Sequence, residues 1–324
     1  MFHHRNLSCI ALAAICAAGP LAAEDWPSAP LHLYVGFPAG SSPDTIARLV
    51  AEPLADALGQ PVVVENKPGA GGVIGVQQML ADKNDGLSFA VTINGPLTTA
   101  QRLVEDLSYD PASDIAPVAL IATSPLVLGV TSDFPADTVA GFIEQATENP
   151  GDIAYGSVGH GSGAHLTAEL FANEAGVDLY HIPFQSYAEV TTSIIGHEID
   201  GGFMAPSAAM PHVEAGKMKI LGITSSTPFP SLPDVPVMAG QANLPEDFRA
   251  ELWNGFIAPS GTDPEIIKRL NSEIVEILAM PEVADKLLAM GWQVQPGSTE
   301  EFATRIAGDT ALWGAVIDGI EARQ

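Results

Sequence analysis

Gly36-Phe37-Pro38-Ala39-Gly40-Ser41-Ser42-Pro43-Asp44-Thr45 follows an apolar run from Leu31 to Val35. The pattern reads as a strand that ends in a loop of small residues and opens a helix. Ser42 suits an N-cap, and Pro43 then falls at the first helical position, where its missing N–H costs nothing. Gly40 lets the backbone come close to a ligand, and the first-turn amides have no partner within the helix. Such a helix start binds anions through its dipole and free N–H groups, without a basic side chain. An ordinary, well-capped strand–helix loop is the plain alternative.

A second loop of the same kind weighs against that alternative. Tyr155-Gly156-Ser157-Val158-Gly159-His160-Gly161-Ser162-Gly163-Ala164-His165 again runs from a short strand through glycines and serines into an amphipathic helix. Two such helix starts, one in each half of the chain, suit a cleft that grips a single anionic group. Two competing readings of this loop are weaker. Gly159, Gly161 and Ala164 satisfy the dinucleotide pattern G-x-G-x-x-G/A, with Asp178 near the distance of a ribose-binding acid, but the match is isolated. Gly69-Ala70-Gly71-Gly72 fails the same pattern, because position 74 is Ile. A serine hydrolase lacks its elbow: Ser162 lies between Gly161 and Gly163, but position 160 is His rather than Gly, and no S-x-x-K occurs. His160 and His165 are five apart, which does not suit two metal ligands on one helical face. No H-E-x-x-H is present, so no metal site and no cofactor are expected. His165 reads as a helix-start side chain bonding nearby carbonyls, His181 as a strand residue, and His197 and His212 as surface or helix-end residues.

Met1 to Ala23 reads as a secretory leader, with His3, His4 and Arg5 before an apolar core from Ile10 to Leu21 and small residues ahead of Glu24. The apolar run is too short to span a bilayer. Cys9 and Cys16 both lie in this segment, so the mature chain is expected to carry neither thiol nor disulfide. Cleavage after Ala23 leaves 301 of the 324 residues, enough for two domains with real cores. It also removes Arg5, leaving 12 basic against 39 acidic residues, a net charge of −27. A chain of that charge does not hold nucleic acid or an anionic membrane by bulk attraction. An anion must be held by local dipoles against the chain's own field.

The body alternates strand-like and helix-like segments. Strands are expected at 31–35, 62–65, 89–93, 116–122, 126–130, 153–156, 179–182, 202–204, 220–224 and 254–258. Thr45 to Leu58 puts Ile46, Leu49, Val50, Leu54 and Leu58 on one face and stops at Gly59, with a kink expected at Pro53. Further helices are expected at 164–175, 264–280, 281–290 and 299–322. This order predicts an α/β protein with a parallel or mixed sheet in each of two units and a cleft between them.

Several stretches in series resemble the Bug family of periplasmic solute-binding proteins, receptors of tripartite tricarboxylate transporters. They are Phe37 to Asp44 with Ile46-Ala47-Arg48, and Gly59 to Gly72. Leu107 to Pro111, Asp114 to Val118, Tyr155 to Leu166 and His181 to Phe184 continue the series. Pro211 to Lys217, Leu232 to Pro236, Trp253 to Pro259 and Pro296 to Phe302 complete it. The resemblance covers nearly all of the mature chain and implies a two-domain Venus-flytrap fold with crossing strands. It implies a first domain from residues 24–123 plus 250–324 and a second from 124–249. It further implies a small carboxylate ligand, delivery to integral-membrane permease subunits, a periplasmic location and a monomer. Carried over by position, the first loop contributes Phe37, Ala39, Gly40, Ser41, Ser42 and Asp44, with Asp44 bracing the loop because like charges repel. The second contributes Ser157, Gly159, His160, Gly161, Ser162 and His165. Asn94, Phe184, Met204 and Ala205 complete the expected ligand-binding set.

The chain departs from the family pattern at informative places. Ser41 and Ser42 stand where glycines are common, and Gln185-Ser186 replaces a usual Lys-Gly. His160 replaces a small polar residue. Met204-Ala205-Pro206 occupies a stretch where many relatives carry an acid, which removes a partner for a ligand ammonium. The expected ligand is therefore an aromatic or aliphatic mono- or dicarboxylate without a free amine. An exported hydrolase using the same cleft, and a co-sensor for a membrane kinase, are the other functions this sequence admits.

Overall fold

A computed structural model describes residues 26–82 and 85–322. The expected leader and its two cysteines lie outside the described residues. The elements run β1 (Leu31–Val35), α1 (Ser42–Leu58), β2 (Val62–Asn66), α2 (Val73–Ala81), β3 (Ser88–Ile93), α3 (Asn94–Thr98), α4 (Ala100–Leu103) and β4 (Ile115–Pro125). Then come β5 (Val127–Thr131), α5 (Val139–Glu148), β6 (Ala154–Ser157), α6 (Gly163–Ala175), β7 (Tyr180–Pro183), α7 (Tyr187–Ile195), β8 (Gly201–Met204), α8 (Pro206–Glu214) and β9 (Met218–Ile223). The chain ends with β10 (Glu251–Pro259), α9 (Pro264–Leu278), α10 (Pro281–Ala289), β11 (Gln293–Val294) and α11 (Thr299–Glu321).

These strands form two mixed sheets, ordered β11-β4-β10-β3-β1-β2 and β7-β6-β8-β5-β9. Each has a parallel set, β2-β1-β3 in one and β7-β6-β8 in the other, joined to an antiparallel strand, β10 or β5. Both faces of each sheet are covered, so the strands read as nearly continuous apolar runs. In the first sheet Leu33, Val35 and Phe89 face α1 and α9, while Tyr34 and Ala90 face α2 and Phe302 of α11. In the second, Leu128 and Phe203 face Phe142 and Phe171 of α5 and α6, and the alternate residues Val127 and Met204 face α7 and α8.

The chain leaves the first sheet at Pro125 and returns at Glu251, and these two residues pair in the β4–β10 register. Between them Thr224, fully buried, clamps the passage. Its Oγ1 accepts from Leu126 N at 2.8 Å and donates to Ala250 O, and its amide donates to Leu126 O at 2.9 Å. Helix α11 spans both cores. Phe302 packs edge-on against Trp253 near the first sheet, whereas Trp313 and Ile317 are buried with Phe171 and Phe203 in the second. The sequence division placed that whole helix with the first unit.

One local expectation is corrected. Helix α1 starts one residue earlier than expected: Ser41 is the N-cap, Ser42 and Pro43 are its first helical residues, and the helix runs with Pro53 inside it to an αL cap at Gly59. Ser41 caps without a side-chain hydrogen bond, while Asp44 Oδ2 accepts from Gly40 N at 2.8 Å. Among the described residues no helix is long and apolar enough to cross a membrane.

Candidate functional site

The second loop follows from the sequence step by step. β6 ends at Ser157, Gly159 and Gly161 adopt φ of +105° and +73°, and Ser162 caps α6 by accepting from His165 N at 3.3 Å. Glycine alone takes those two dihedrals without strain. The cap leaves the amides of Gly163 and Ala164, the first of the helix, without an intrahelical acceptor. Gly161, Ser162 and Gly163 face a cavity of about 350 Å³ whose opposite wall contains Ala70, Gly71, Asn94 and Pro96 of the first sheet's side. The two sides touch at small residues. A Cβ on Gly163 would sit 2.8 Å from Leu252, and one on Gly161 would sit 3.1 Å from Leu103.

Among the described residues no basic side chain lines this cavity. Its one charged lining residue, Glu251, is taken up by Arg305 at 3.1 Å. The rest is largely apolar, from Val73, Ile93 and Leu103 to Leu166, Leu252 and Trp313. A helix start with free amides at one end of an apolar, uncharged space fits an anionic head group on an apolar body.

The first loop borders this cavity without lining it. Phe37 packs against Gly72, whose hypothetical Cβ would lie 2.8 Å from the Phe37 ring and 3.2 Å from Pro96. Ala39 and Gly40 are exposed, and Ser41 Oγ and Ser42 Oγ are shielded with no hydrogen-bond partner, so both hydroxyls are uncommitted. Asp44, 2% exposed, holds the loop: besides Gly40 N it accepts from Arg48 Nε and from Asn66 Nδ2 at 2.8 Å. Asn66 also donates to Phe37 O at 3.0 Å, which ties the loop to the end of β2. Burial pushes the Asp44 carboxyl up, but Arg48, Gly40 N and Asn66 together outweigh that and hold it below its ordinary value. Asn66 and Arg48 were quoted in the sequence only as pattern, and Asn66 is the missed residue of this loop.

Of the remaining expected residues, Asn94 and Ser162 line the cavity, while Phe184 packs beside Gly156 and Ala205 caps α8. Met204 is fully buried in the core beneath α7 and α8, because β8 turns that face inward. Ser157, also fully buried, contacts His181 Nε2 at 2.7 Å and donates to Gly159 O at 3.1 Å. That Ser–His pair is not a hydrolase dyad. The serine has no exposed surface, and burial, then the charges of His165 and His160, push His181 down to about 3, too low for a base near neutrality.

His165 differs from its expected role. Its Nδ1 accepts from Gly161 N at 3.1 Å instead of donating to a carbonyl. His160 precedes α6, so the helical-spacing argument does not apply to it. His160 and His165 come together with His181, which reaches them from β7. The dinucleotide reading also fails on geometry: Asp178 lies beside Gly151, at the start of β6, away from the loop that follows that strand.

Comparison with known proteins agrees with this architecture. Residues 46–322 match the family described as TctC, the tripartite tricarboxylate transporter family receptor. BugT of Bordetella pertussis (strain Tohama I) is 33% identical over 301 residues, covering 93% of this chain and 92% of BugT. The structure of R. palustris Rpa4515 with adipate is similar with a TM-score of 0.73 at 29% identity, over 91% of this chain and 98% of that one. MatC (Rpa3494) from Rhodopseudomonas palustris with bound malate gives 0.69 at 27% identity, over 90% and 100%. With a two-sheet α/β fold like those binding proteins and a family match over most of its length, the chain belongs to the TctC (Bug) family of periplasmic solute receptors of tripartite tricarboxylate transporters.

Proposed function

We propose that this protein captures a small dicarboxylate, with an aliphatic or aromatic body and no free amine, between its two sheets and delivers it to a tripartite permease. The observation that carries this reading is the cavity wall itself. Gly161, Ser162 and Gly163 at the α6 start line an apolar space that no cationic side chain among the described residues reaches, and Asn94 stands on the other side. One carboxylate sits on the α6 start, where dipole and amides offset the chain's negative field. The apolar body lies against Leu166, Leu252 and Trp313. The bound adipate and malate of the two similar structures support a diacid.

The working division has one lobe from residues 24–123 plus 250–324 and another from 124–249, hinged where Leu126, Thr224 and Ala250 bond together. Closure follows the ligand's differential affinity, and the first loop, with Ser41 and Ser42 uncommitted, joins the site on closing. The closed form then docks on integral-membrane partners as a monomer. Binding without turnover follows the family, whose described role is that of a transporter receptor.

A thermal-shift screen of the chain from residue 24 tests this. Adipate- and malate-type diacids raise the unfolding temperature, by about 2.7 kcal/mol of stability at a hundredfold excess over Kd, and their diamides do not. Stabilisation by zwitterionic amino acids together with indifference to every simple acid overturns the reading.

A further inference from the structure

His160, His165 and His181 come from three separate pieces of chain: the loop after β6, the first turn of α6 and the middle of β7. Each offers one ring nitrogen, and these nitrogens lie within 4.8 Å of one another. The rings are mutually packed, with centroids 4.1 Å apart for His165 and His181, 4.8 Å for His160 and His181, and 5.4 Å for His160 and His165. We propose that these three imidazoles form a binding site for one late first-row divalent cation, of the Zn²⁺, Ni²⁺ or Cu²⁺ class, behind the second anion-binding loop.

Imidazole nitrogen is a donor these ions favour, and Mg²⁺ and Ca²⁺ prefer oxygen. The surroundings fix the rings as a second coordination shell does. Ser157 Oγ lies 2.7 Å from His181 Nε2 and fixes that ring from behind. His165 Nδ1 accepts from Gly161 N at 3.1 Å without the metal, a bond that coordination through Nδ1 replaces, and Nε2 faces Glu169 Oε1 across 3.9 Å. A carboxylate behind a ligating imidazole orients it and raises its basicity, and Tyr155 OH holds Glu169 in turn at 2.7 Å.

Access and field agree with the ligand set. Exposed His160 and buried His165 open onto a second cavity of about 350 Å³, shared with Leu103 and Glu321. A net charge of −26 draws cations to the surface at long range. A metal about 2.0–2.1 Å from each nitrogen needs them closer than 4.8 Å, so loading draws the exposed His160 inward. Three protein ligands leave one position open. The inference stands on these residues alone and does not depend on the carboxylate reading.

Calorimetric titration of ZnCl₂ into the chain from residue 24, in a non-chelating buffer with excess Mg²⁺ to occupy the acidic surface, tests the site. One Zn²⁺ per chain binds, and His160→Asn weakens it more than about tenfold with an unchanged circular-dichroism spectrum, while His212→Asn leaves it intact. Cu²⁺ loaded instead shows nitrogen hyperfine structure from three imidazoles, falling to two in His160→Asn. Absence of saturable Zn²⁺ binding, or binding equal in the wild type and His160→Asn, overturns the proposal. Because His160 is exposed in a loop, its variant folds, and a null result counts against the site.

Discussion

At the scale of single residues, Asp44 shows how a negative side chain braces the first loop. Its carboxylate turns inward onto Gly40 N, Arg48 and Asn66, so its charge is consumed before any ligand arrives. Asp44→Ala removes the acceptor for Gly40 N and for Asn66. Since Arg48 is half exposed and recovers water, the expected loss is about 1–3 kcal/mol rather than the larger cost of a stranded buried charge. Urea unfolding checks the magnitude. The pH dependence has a fixed sign. The folded carboxyl titrates below its ordinary value of 3.8, so its contribution is complete above that value and is lost as pH falls through the folded one. Asp44→Asn therefore flattens the acid limb of stability against pH below about 4. A limb as steep as the wild type's rejects this account of the loop. The bracing role was legible in the sequence because like charges repel. Its partner Asn66 was not, because the contact joins residues 22 apart through the fold of β2 against α1.

At the scale of elements, the Gly-rich turn after β2 does its work by closeness. A Cβ on Gly36 would lie 2.3 Å from Gly72 O, and one on Gly75 would lie 2.5 Å from Gly36 N. The end of β1 and the start of α2 thus meet backbone to backbone, and this contact sets the wall from which Ala70 and Gly71 face the cavity. Gly75→Ala forces the two apart and costs about 1–3 kcal/mol, the usual range of an overpacked core, with a loss of ligand affinity that Gly59→Ala does not share. Equal affinity in both variants separates that wall from the site. Elsewhere Asp309 of α11, 2% exposed, accepts from Arg249, Arg305 and Trp253 Nε1, so one helix carboxylate holds the returning crossover. Asp309→Ala leaves Arg305 paired with Glu251 but removes one acceptor from Arg305, Arg249 and Trp253 Nε1, and costs about 1–3 kcal/mol, read as a lower urea midpoint. Strand positions were legible because doubly covered sheets leave apolar runs bounded by glycine and proline. The short β11 and the role of α11 in both cores were not, since both depend on which neighbours the chain finds.

At the scale of the molecule, the two sheets touch across small residues and the chain crosses between them through one buried clamp. The alternation of strands and helices foretold an α/β fold with two mixed sheets. It did not foretell that the first loop would stand beside the cavity while the second lines it, because loop placement depends on contacts between distant parts of the chain. Under the proposed function, ligand contact with both lobes shifts the balance of open and closed forms, and a molecule that binds both equally shifts nothing. A diacid would then act as a strut, with one carboxylate on the α6 start and the other reaching Asn94 and the uncommitted Ser41 and Ser42 hydroxyls. Small-angle scattering measures the result directly. A saturating diacid reduces the radius of gyration, its monoacid binds more weakly with a smaller reduction, and the diamide leaves it unchanged. Gly161→Val sets a side chain where φ is +73° and Leu103 stands 3.1 Å from a Cβ. It blocks contraction and lowers affinity at least about tenfold, with a folding cost of about 1–2 kcal/mol from the left-handed backbone. Contraction of Gly161→Val to the wild-type radius, or a tightly bound diacid with no contraction at all, refutes closure as the means by which this receptor registers its ligand.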